Sequence, residues 1–244
     1  MTPEPRLGAR RLRKSFGSVL VNDDVSFEAS AGEALGIIGP NGAGKTTLFN
    51  LLGGSLAPDA GTVRLDGVDV SREPPARRCR RGLARTHQIP APFLDLSVYE
   101  NALVGACFGR SHGAPRAAER ALHALERAGI TDLAARPART LGLLQRKRLE
   151  LARALAADPL VLLLDEVGGG LTEAEIAELC TVLGAIRAAG VALVWVEHQV
   201  NALAGFVDRL LALDRGRVVA TGTPAEVLAD PAVKATYLGA EAAS

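Results

Sequence analysis

The sequence is poor in aromatic residues and carries almost no surplus of either charge. Phe, Trp and Tyr together make up 4% of the 244 residues, and the formal net charge is +1. Proteins that grip nucleic acid through its phosphates carry a basic surplus, and single strands are bound by stacking bases on aromatic side chains. We therefore expect no nucleic acid among the partners of this protein.

Long apolar runs and paired cysteines are also missing. The longest apolar stretches, such as residues 191–196, fall far below the roughly 18–20 residues that cross a bilayer. The N-terminal residues contain no apolar segment of the kind found in secretory signals, so we expect no such signal. Cys79, Cys107 and Cys180 form no Cys-x-x-Cys pair, which favours reduced thiols. These absences predict a soluble chain that meets a membrane only through a partner.

The pattern of apolar residues favours an α/β fold. Short apolar segments alternate with helical ones, which is typical of a mostly parallel sheet with helices on its faces. Strands are predicted at residues 19–28, 34–38, 62–65, 160–164, 191–196 and 210–213. Helices are predicted at residues 45–52, 98–108, 173–189 and 199–205, and after Pro224 and Pro231.

The composition changes after Pro90 and Pro92. From there to about Ala156 the chain is rich in Ala, Leu and Arg, which are good helix formers. We interpret residues 89–157 as a helical subdomain inserted into a single domain that spans residues 1–244.

A glycine-rich segment lies between a predicted strand and a predicted helix. It reads Gly39-Pro40-Asn41-Gly42-Ala43-Gly44-Lys45-Thr46 and fits the pattern G-x-x-x-x-G-K-[ST]. Its glycines can turn consecutive N–H groups toward phosphate oxygens, and the helix N-terminus adds the positive end of its dipole. Lys45 is expected to reach the β- and γ-phosphates, and the Thr46 hydroxyl is expected to ligate Mg²⁺.

Two carboxylates follow the apolar run at residues 161–164. Asp165 is placed to hold Mg²⁺ through water, and Glu166 is placed near the γ-phosphate, where it could polarise an attacking water. Two acids after a strand by themselves more often cap a helix. Together with the phosphate loop, they favour the metal and catalytic roles.

The order of these motifs resembles the ATP-binding subunits of ABC transporters over almost the whole chain. By this resemblance Gly39 to Thr47 is Walker A, Val161 to Asp165 is Walker B, and Glu166 is the catalytic glutamate. The resemblance implies ATP hydrolysis coupled to transport, with Mg²⁺ as cofactor. It also implies a P-loop NTPase core of mixed sheet with flanking helices, an antiparallel β subdomain and an inserted α-helical subdomain.

Three further residues match motifs of that family. Gln88 resembles the Q-loop glutamine, which in the family contacts Mg²⁺ and senses the membrane subunits, and His198 is similar to the switch histidine at the γ-phosphate. Phe16 matches the aromatic residue on which adenine stacks. Alone, each would more often be structural, but their spacing from the phosphate motifs favours the functional roles. The resemblance thus implies nucleotide contacts from Phe16, Gly39, Asn41, Gly42, Ala43, Gly44, Lys45, Thr46 and Thr47.

Finer features resemble the branched-chain amino acid branch of the family. They are residues 38–50, 82–86, 222–227, 230–231 and 237–239. The branch implies import of branched-chain amino acids or related small solutes. It implies permease subunits, a second ATPase subunit and, indirectly, a solute-binding protein as partners. The expected location is cytoplasmic, on the inner face of the cell membrane through the permease.

The chain departs from the family on surfaces that would face an opposite subunit. The family signature, usually Leu-Ser-Gly-Gly-Gln or Leu-Ser-Tyr-Gly-Gln, falls at Leu141 to Gln145, where Gly142 replaces serine and Leu144 replaces the last glycine. Val167 replaces a proline, and Thr172 replaces an Asn or Asp.

These departures predict an asymmetric pair of ATPases. In the closed family dimer, the signature of one subunit faces the ATP held by the other. Gly142 has no hydroxyl to donate, and Leu144 adds bulk near the phosphate. Losing one such donor costs about 2.7–4 kcal/mol of transition-state stabilisation. We therefore expect a heterodimer in which this chain's own half-site is complete and the partner's ATP is hydrolysed poorly. The alternative is a catalytically weak regulatory subunit that binds nucleotide.

Arginines crowd the segment before Gln88. They are Arg72, Arg77, Arg78, Arg80, Arg81 and Arg85. We interpret them as a solvated helix face, with contact to anionic lipid or a membrane subunit as the second choice. His87, beside Gln88, has no assigned role.

Overall fold

The computed structural model of the protein describes residues 5–110, 116–197 and 200–235. The β-strands of this part of the chain are β1 Pro5–Phe16, β2 Val19–Ser30, β3 Ala34–Ile38, β4 Ala60–Leu65, β5 Val68–Asp69, β6 Leu83–Arg85, β7 Val161–Asp165, β8 Ala192–Val196, β9 Arg209–Asp214 and β10 Arg217–Gly222. The α-helices are α1 Lys45–Gly53, α2 Pro75–Arg80, α3 Val98–Phe108, α4 Ala117–Arg127, α5 Leu143–Ala156, α6 Glu173–Ala188, α7 Val200–Ala204 and α8 Pro224–Ala229. Residues 231–235 are also helical, while the tail residues 237–239 lie outside the described residues.

The central sheet has the strand order β10-β9-β3-β8-β7-β6. Its pairs are parallel except for β9 with β10, which is antiparallel. Every residue of β3, β7 and β8 is buried, as expected for near-continuous apolar strands that are covered on both faces. The predicted mostly parallel sheet with flanking helices is therefore confirmed.

Alternate side chains of the central strands enter two different cores. Leu162, Leu164 and Trp195 pack with apolar residues of helices α3 to α6 on one face. Leu163 and Val194 pack on the other face with α1 and with the antiparallel sheet. Because successive residues of a strand point to opposite faces, each of these short strands contributes side chains to both cores.

A second sheet, in the order β2-β1-β4-β5, is antiparallel throughout. Leu7, Ala9 and Leu12 of β1 and Val63 of β4 are buried in the same core as α1. The antiparallel sheet that the family resemblance implied is present, and β1 is a strand that the sequence pattern alone did not predict.

Helices α3, α4 and α5 pack against one another within the region expected to be helical. A capping box between Ser97 and Glu100 begins α3, and this reciprocal arrangement satisfies two exposed backbone N–H groups. A Cβ atom on Gly105 would lie 2.2 Å from the carbonyl oxygen of Arg153, so this glycine lets α3 approach α5 closely. Within the described residues, no helix is both long and apolar enough to cross a lipid bilayer.

The carboxyl ends of β3, β6, β7 and β8 meet at one edge of the central sheet. The residues that follow these strands are Gly39, Thr86, Glu166 and Glu197. In open α/β sheets, ligands bind at this edge. The fold therefore gathers the glycine-rich loop, the Gln88 segment and the paired acids around one point.

Candidate nucleotide site

The glycine-rich loop has a backbone that only glycine accommodates at its key positions. Gly42 has φ +80° and Gly44, which precedes α1, has φ +98°, a region that disfavours residues with a Cβ atom. A Cβ atom on Gly44 would lie 2.6 Å from the carbonyl oxygen of Val21, and one on Gly39 would lie 2.3 Å from that of Leu213. The loop is therefore wrapped tightly around the start of α1, whose N-terminal N–H groups are available to an anion.

Lys45 is the buried cation of this loop. Its Nζ donates to the carbonyl oxygens of Gly39, at 2.5 Å, and Pro40, at 2.9 Å. Burial lowers the pKa of the Lys45 ammonium, and the negative charge of Glu166 opposes that shift. The loop thus holds a partly desolvated positive charge against its own carbonyls, where a phosphate oxygen can offer a stronger partner.

A cavity of about 200 Å³ lies directly above the loop. Its lining consists of Val21, Asn41, Gly42, Ala43, Gly44, Lys45, Thr46, Thr47 and Glu166. Except for Val21, these residues were all predicted to belong to the site. Phe16 lies at the end of β1 with 48% of its surface exposed.

Asp165 ends β7 and is held by an arginine that the sequence reasoning did not place in the site. Arg85 Nη2 donates to Asp165 Oδ2 at 2.6 Å, while Arg85 Nη1 donates to Asn50 Oδ1 at 2.8 Å. The guanidinium also lies 5.7 Å from the centre of the Phe49 ring. The position of Arg85 at the end of β6, beside β7, is the signal that could have identified it.

Glu166 has an uncommon backbone and a defined side-chain partner. Its φ of 47° is left-handed, and its N–H donates to the carbonyl oxygen of Val196 at 2.9 Å. Gln88 Nε2 donates to the carboxylate at Oε2. The structure therefore brings Gln88 and Glu166 together at the cavity, although they are far apart in sequence.

His198, the expected switch histidine, lies outside the described residues. Its neighbour Glu197 is buried and accepts hydrogen bonds from Gly168 N, at 3.0 Å, and Trp195 Nε1, at 3.2 Å. Glu197 therefore ties the end of β8 to the loop that follows Glu166. Sequence reasoning gave this carboxylate no role, because its partners come from two separate segments.

The altered signature segment keeps a regular helix start. Gly142 is the N-cap of α5 in an extended conformation, and its N–H donates to Gln145 Oε1 at 3.1 Å. Leu143 is 45% exposed, and its side chain lies next to Gly170. Leu144 is half-buried and packs on the core. The most exposed isobutyl group at this helix start is therefore that of Leu143.

The other two departures have local structural roles. Val167 is buried in the core that contains α5 and α6. Thr172 caps α6: its hydroxyl accepts from Glu175 N at 3.3 Å, and its N–H donates to Glu175 Oε2 at 2.8 Å. Both residues thus stabilise the loop between Glu166 and α6.

The arginines before Gln88 do not form one solvated face, and that expectation is wrong for two of them. Arg78 is fully buried because its guanidinium binds carbonyl oxygens, among them those of Leu51 and Leu52, both at 2.6 Å. Burial lowers the pKa of Arg78 to about 10. Arg85 is held by Asp165, as described above. The arginines that are exposed as expected are Arg72, Arg77, Arg80 and Arg81.

Comparison with known protein families agrees with this geometry. A family model described as "ABC transporter" matches residues 22–168. A second model, described as "Branched-chain amino acid ATP-binding cassette transporter", matches residues 217–243. The first match covers more than half of the chain and includes the phosphate loop and both acids.

Curated relatives are similar over nearly their whole length. The lipopolysaccharide export system ATP-binding protein LptB of Escherichia coli is 34% identical, with 96% of this chain and 97% of LptB covered. The high-affinity branched-chain amino acid transport ATP-binding protein LivG of Salmonella typhimurium is also 34% identical, with 97% and 98% covered.

Solved structures show the same fold. The ADP conformation of an ATP-binding cassette of an ABC transporter has a TM-score of 0.89 and 29% identity, covering 96% of this chain and 99% of that one. A nucleotide-free cassette has a TM-score of 0.86 and 28% identity, covering 96% and 98%. The chain therefore belongs to the ABC transporter family of ATP-binding proteins, and it carries the C-terminal segment of the branched-chain amino acid branch.

Proposed function

We propose that this chain hydrolyses ATP to drive import of branched-chain amino acids or related small solutes through a membrane permease. The observation that carries the catalytic part is the cavity that brings Lys45, Thr46 and Glu166 together at the carboxyl edge of the sheet. The observation that supports the solute class is the C-terminal match at residues 217–243.

The chain's own residues can perform the steps of hydrolysis. The loop N–H groups and Lys45 bind and neutralise the β- and γ-phosphates, since a desolvated cation interacts strongly with an anion. The Glu166 carboxylate accepts a proton from the attacking water, while Gln88 orients that carboxylate through its hydrogen bond. His198 is proposed to contact the γ-phosphate, and Phe16 to stack on adenine.

The Thr46 hydroxyl at the cavity, the Gln88 amide and the Asp165 carboxylate fit Mg²⁺, which prefers oxygen ligands. Thr46, Gln88 and Asp165 would hold the ion, and the Arg85 contact at Oδ2 leaves the other carboxylate oxygen of Asp165 for it. When bound, Mg²⁺ supplies positive charge that offsets the charge of the phosphates.

A second ATPase subunit completes the proposal. Gly142 offers no hydroxyl, so the ATP held by a partner would lack one donor of its transition state. A heterodimer would then hydrolyse ATP mainly at the half-site of this chain. To test this, turnover is measured for the pair with Glu166→Gln in this chain and with the corresponding change in the partner. The first change should abolish most of the turnover and the second should have a small effect, whereas equal effects would contradict the asymmetry.

The proposed solute class and the proposed permease partner are those of the branched-chain amino acid branch of the family. The chain is proposed to lie on the inner face of the cell membrane, bound to permease subunits that receive solute from a binding protein, with residues 89–157 as its helical subdomain. LptB and LivG have the same sequence identity to this chain, 34%. Overall identity therefore does not distinguish between the two solute classes. Uptake of labelled leucine, isoleucine and valine in cells with and without the gene tests it, and unchanged uptake of all three would contradict it.

A second candidate function is a regulatory subunit that binds ATP and turns it over weakly. Gly142 and Leu144 favour it, because both sites of a homodimer would face the altered segment. Glu166→Gln separates the two functions. In an active subunit it removes turnover and traps ATP, while in a weak subunit the turnover is low before and after the change.

A further inference from the structure

Lys147 lies five residues into α5 and is buried, with 6% of its surface exposed. Lysine is rarely buried unless its ammonium is paired. Burial lowers the pKa of the Lys147 ammonium, and the nearby charges of Glu197, Glu150 and Glu166 oppose that shift. Because burial of the Lys147 ammonium costs desolvation energy, we expect the ammonium to have a specific hydrogen-bond acceptor.

The contact is with the backbone of the expected catalytic glutamate. Lys147 Nζ donates to the carbonyl oxygen of Glu166 at 3.4 Å. The same oxygen also accepts from Gly169 N at 3.2 Å. Glu197, which is 3% exposed, accepts from Gly168 N at 3.0 Å. Lys147 and Glu197 therefore hold the two sides of the turn that begins at Glu166.

The Glu166 backbone needs such support. A φ of 47° at a residue other than glycine is a strained conformation, and it persists only when the surroundings fix it. The backbone conformation of Glu166 decides where its carboxylate points. If the turn relaxes, the carboxylate leaves the cavity above the phosphate loop.

We propose that Lys147 is a positioning residue that holds Glu166 of the same chain in its strained conformation and so directs the carboxylate at ATP. The idea rests on the proposed ATPase function. It gives α5 two roles: its first turn is expected to face the partner's nucleotide, while Lys147, one turn later, serves the nucleotide of its own chain.

The test compares the variants Lys147→Met, Lys147→Arg and Arg148→Met of the full-length chain. Turnover is measured with the chain alone if the wild type is active alone, and otherwise with its second ATPase present. Without the Lys147 donor the Glu166 backbone should relax, so the kcat for ATP hydrolysis should fall about tenfold in Lys147→Met. The KM and the Kd for ATP should stay within about twofold of wild type. Lys147→Arg restores a cationic donor and should recover most of the turnover. Arg148→Met removes a neighbouring charge that pairs with Glu178 and should leave kcat unchanged.

Two results would overturn the proposal. One is a kcat for Lys147→Met within about twofold of wild type, and the other is a loss explained by weaker ATP binding. If wild-type turnover is itself no greater than that of Glu166→Gln, the proposed function fails instead. The two failures are therefore distinguishable.

A folding control keeps the test decisive. Lys147→Met leaves Glu197 buried without its nearby cation, so the double variant Lys147→Met with Glu197→Gln is compared with Glu197→Gln alone. The sole tryptophan, Trp195, donates to Glu197, and its fluorescence reports whether the core is native. Relative to Glu197→Gln alone, the double variant should again lose about tenfold in kcat, because the Lys147 donor to the Glu166 carbonyl is missing and only Gly169 N remains. Equal kcat values in the two variants would contradict the positioning role.

Discussion

The phosphate loop and the signature segment each present the start of a helix, but their backbones constrain sequence very differently. Gly44, before α1, has φ +98°, and a Cβ atom there would meet the Val21 backbone at 2.6 Å. Gly142, before α5, is extended, and a Cβ atom there would meet nothing within 4 Å. The backbone of the phosphate loop therefore requires glycine at residue 44, whereas residue 142 of the signature segment can change without loss of the fold.

This contrast explains how a tightly constrained phosphate loop and an altered signature segment occur in one chain. Gln145 still caps α5 through Gly142 N, and Leu144 adds contacts to the core. The helix that carries the signature is thus stabilised by groups other than the missing serine hydroxyl. We infer that the folding of this region depends little on the identity of residue 142, and that any cost falls on the nucleotide that the segment faces.

The largest effect is expected from placing the same substitution at the two helix starts. Gly44→Ala adds backbone strain and overpacking that together cost about 4 kcal/mol, roughly a thousandfold in ATP affinity. Gly142→Ala should change ATP affinity less than about twofold, since its Cβ atom has space. Binding of a fluorescent ATP analogue measures both. Equal losses in the two variants would contradict the contrast.

The next effect concerns the far end of the helix that follows the phosphate loop. Arg78→Met leaves the carbonyl oxygens of Leu51 and Leu52, at the end of α1, without their buried donor. We expect the free energy of unfolding to fall by about 3 kcal/mol. Arg77→Met, on the exposed side of α2, is the matched control and should change it by less than about 0.5 kcal/mol. Urea denaturation followed by Trp195 fluorescence gives both values.

A smaller, opposite effect is expected from restoring the signature. Gly142→Ser combined with Leu144→Gly returns a hydroxyl donor and an open backbone. The double variant should raise the ATP turnover of the isolated chain about tenfold, toward the gain that one oriented donor gives. Leu143→Gly, which removes the exposed leucine alone, should raise it less because no donor is added. Turnover of the double variant equal to wild type would mean that the segment does not limit hydrolysis.

The central strands and the phosphate loop could be predicted because their signals are local. The five residues of β3 are Ala, Leu, Gly and Ile, and the first four residues of β7 are apolar before Asp165. The phosphate loop follows β3 directly, and the paired acids lie at the end of β7. Burial on both faces produces such runs. The match between pattern and structure is accordingly close at these elements.

Strand β1 and the contacts of Arg78 and Arg85 could not be predicted in this way. Arg10, Arg11 and Arg13 interrupt the alternation of β1, where the pairing register shifts and Arg11 has φ 50°. The burial of Arg78 depends on the carbonyl groups of Leu51 and Leu52, 27 and 26 residues earlier in the chain. The partly buried Arg85 depends on Asp165, 80 residues later. Contacts of this range arise from the assembled sheet, so composition alone favoured a solvated helix face.

The smallest effect concerns Glu150, on the same helix as the signature but facing the segment that carries Gln88. Glu150 Oε1 accepts from His87 N at 2.6 Å, while Oε2 is buried without a hydrogen-bond partner among the described residues. Burial raises the pKa of this carboxyl. A raised folded-state pKa contributes stability that is present at low pH and is lost as pH rises through that pKa.

Glu150→Gln should therefore stabilise the protein by about 1 kcal/mol at pH 8, because it removes a buried charge and can still accept from His87 N. At pH 5, nearer the range in which the wild-type carboxyl binds a proton, the gain should be smaller. Glu119→Gln, an exposed change on α4, should show neither effect. Thermal or urea unfolding at the two pH values decides between these outcomes. A variant less stable than wild type at pH 8 would show that the Glu150 charge is compensated, with Lys147 and Arg153, whose charges oppose the raised pKa, as the groups responsible.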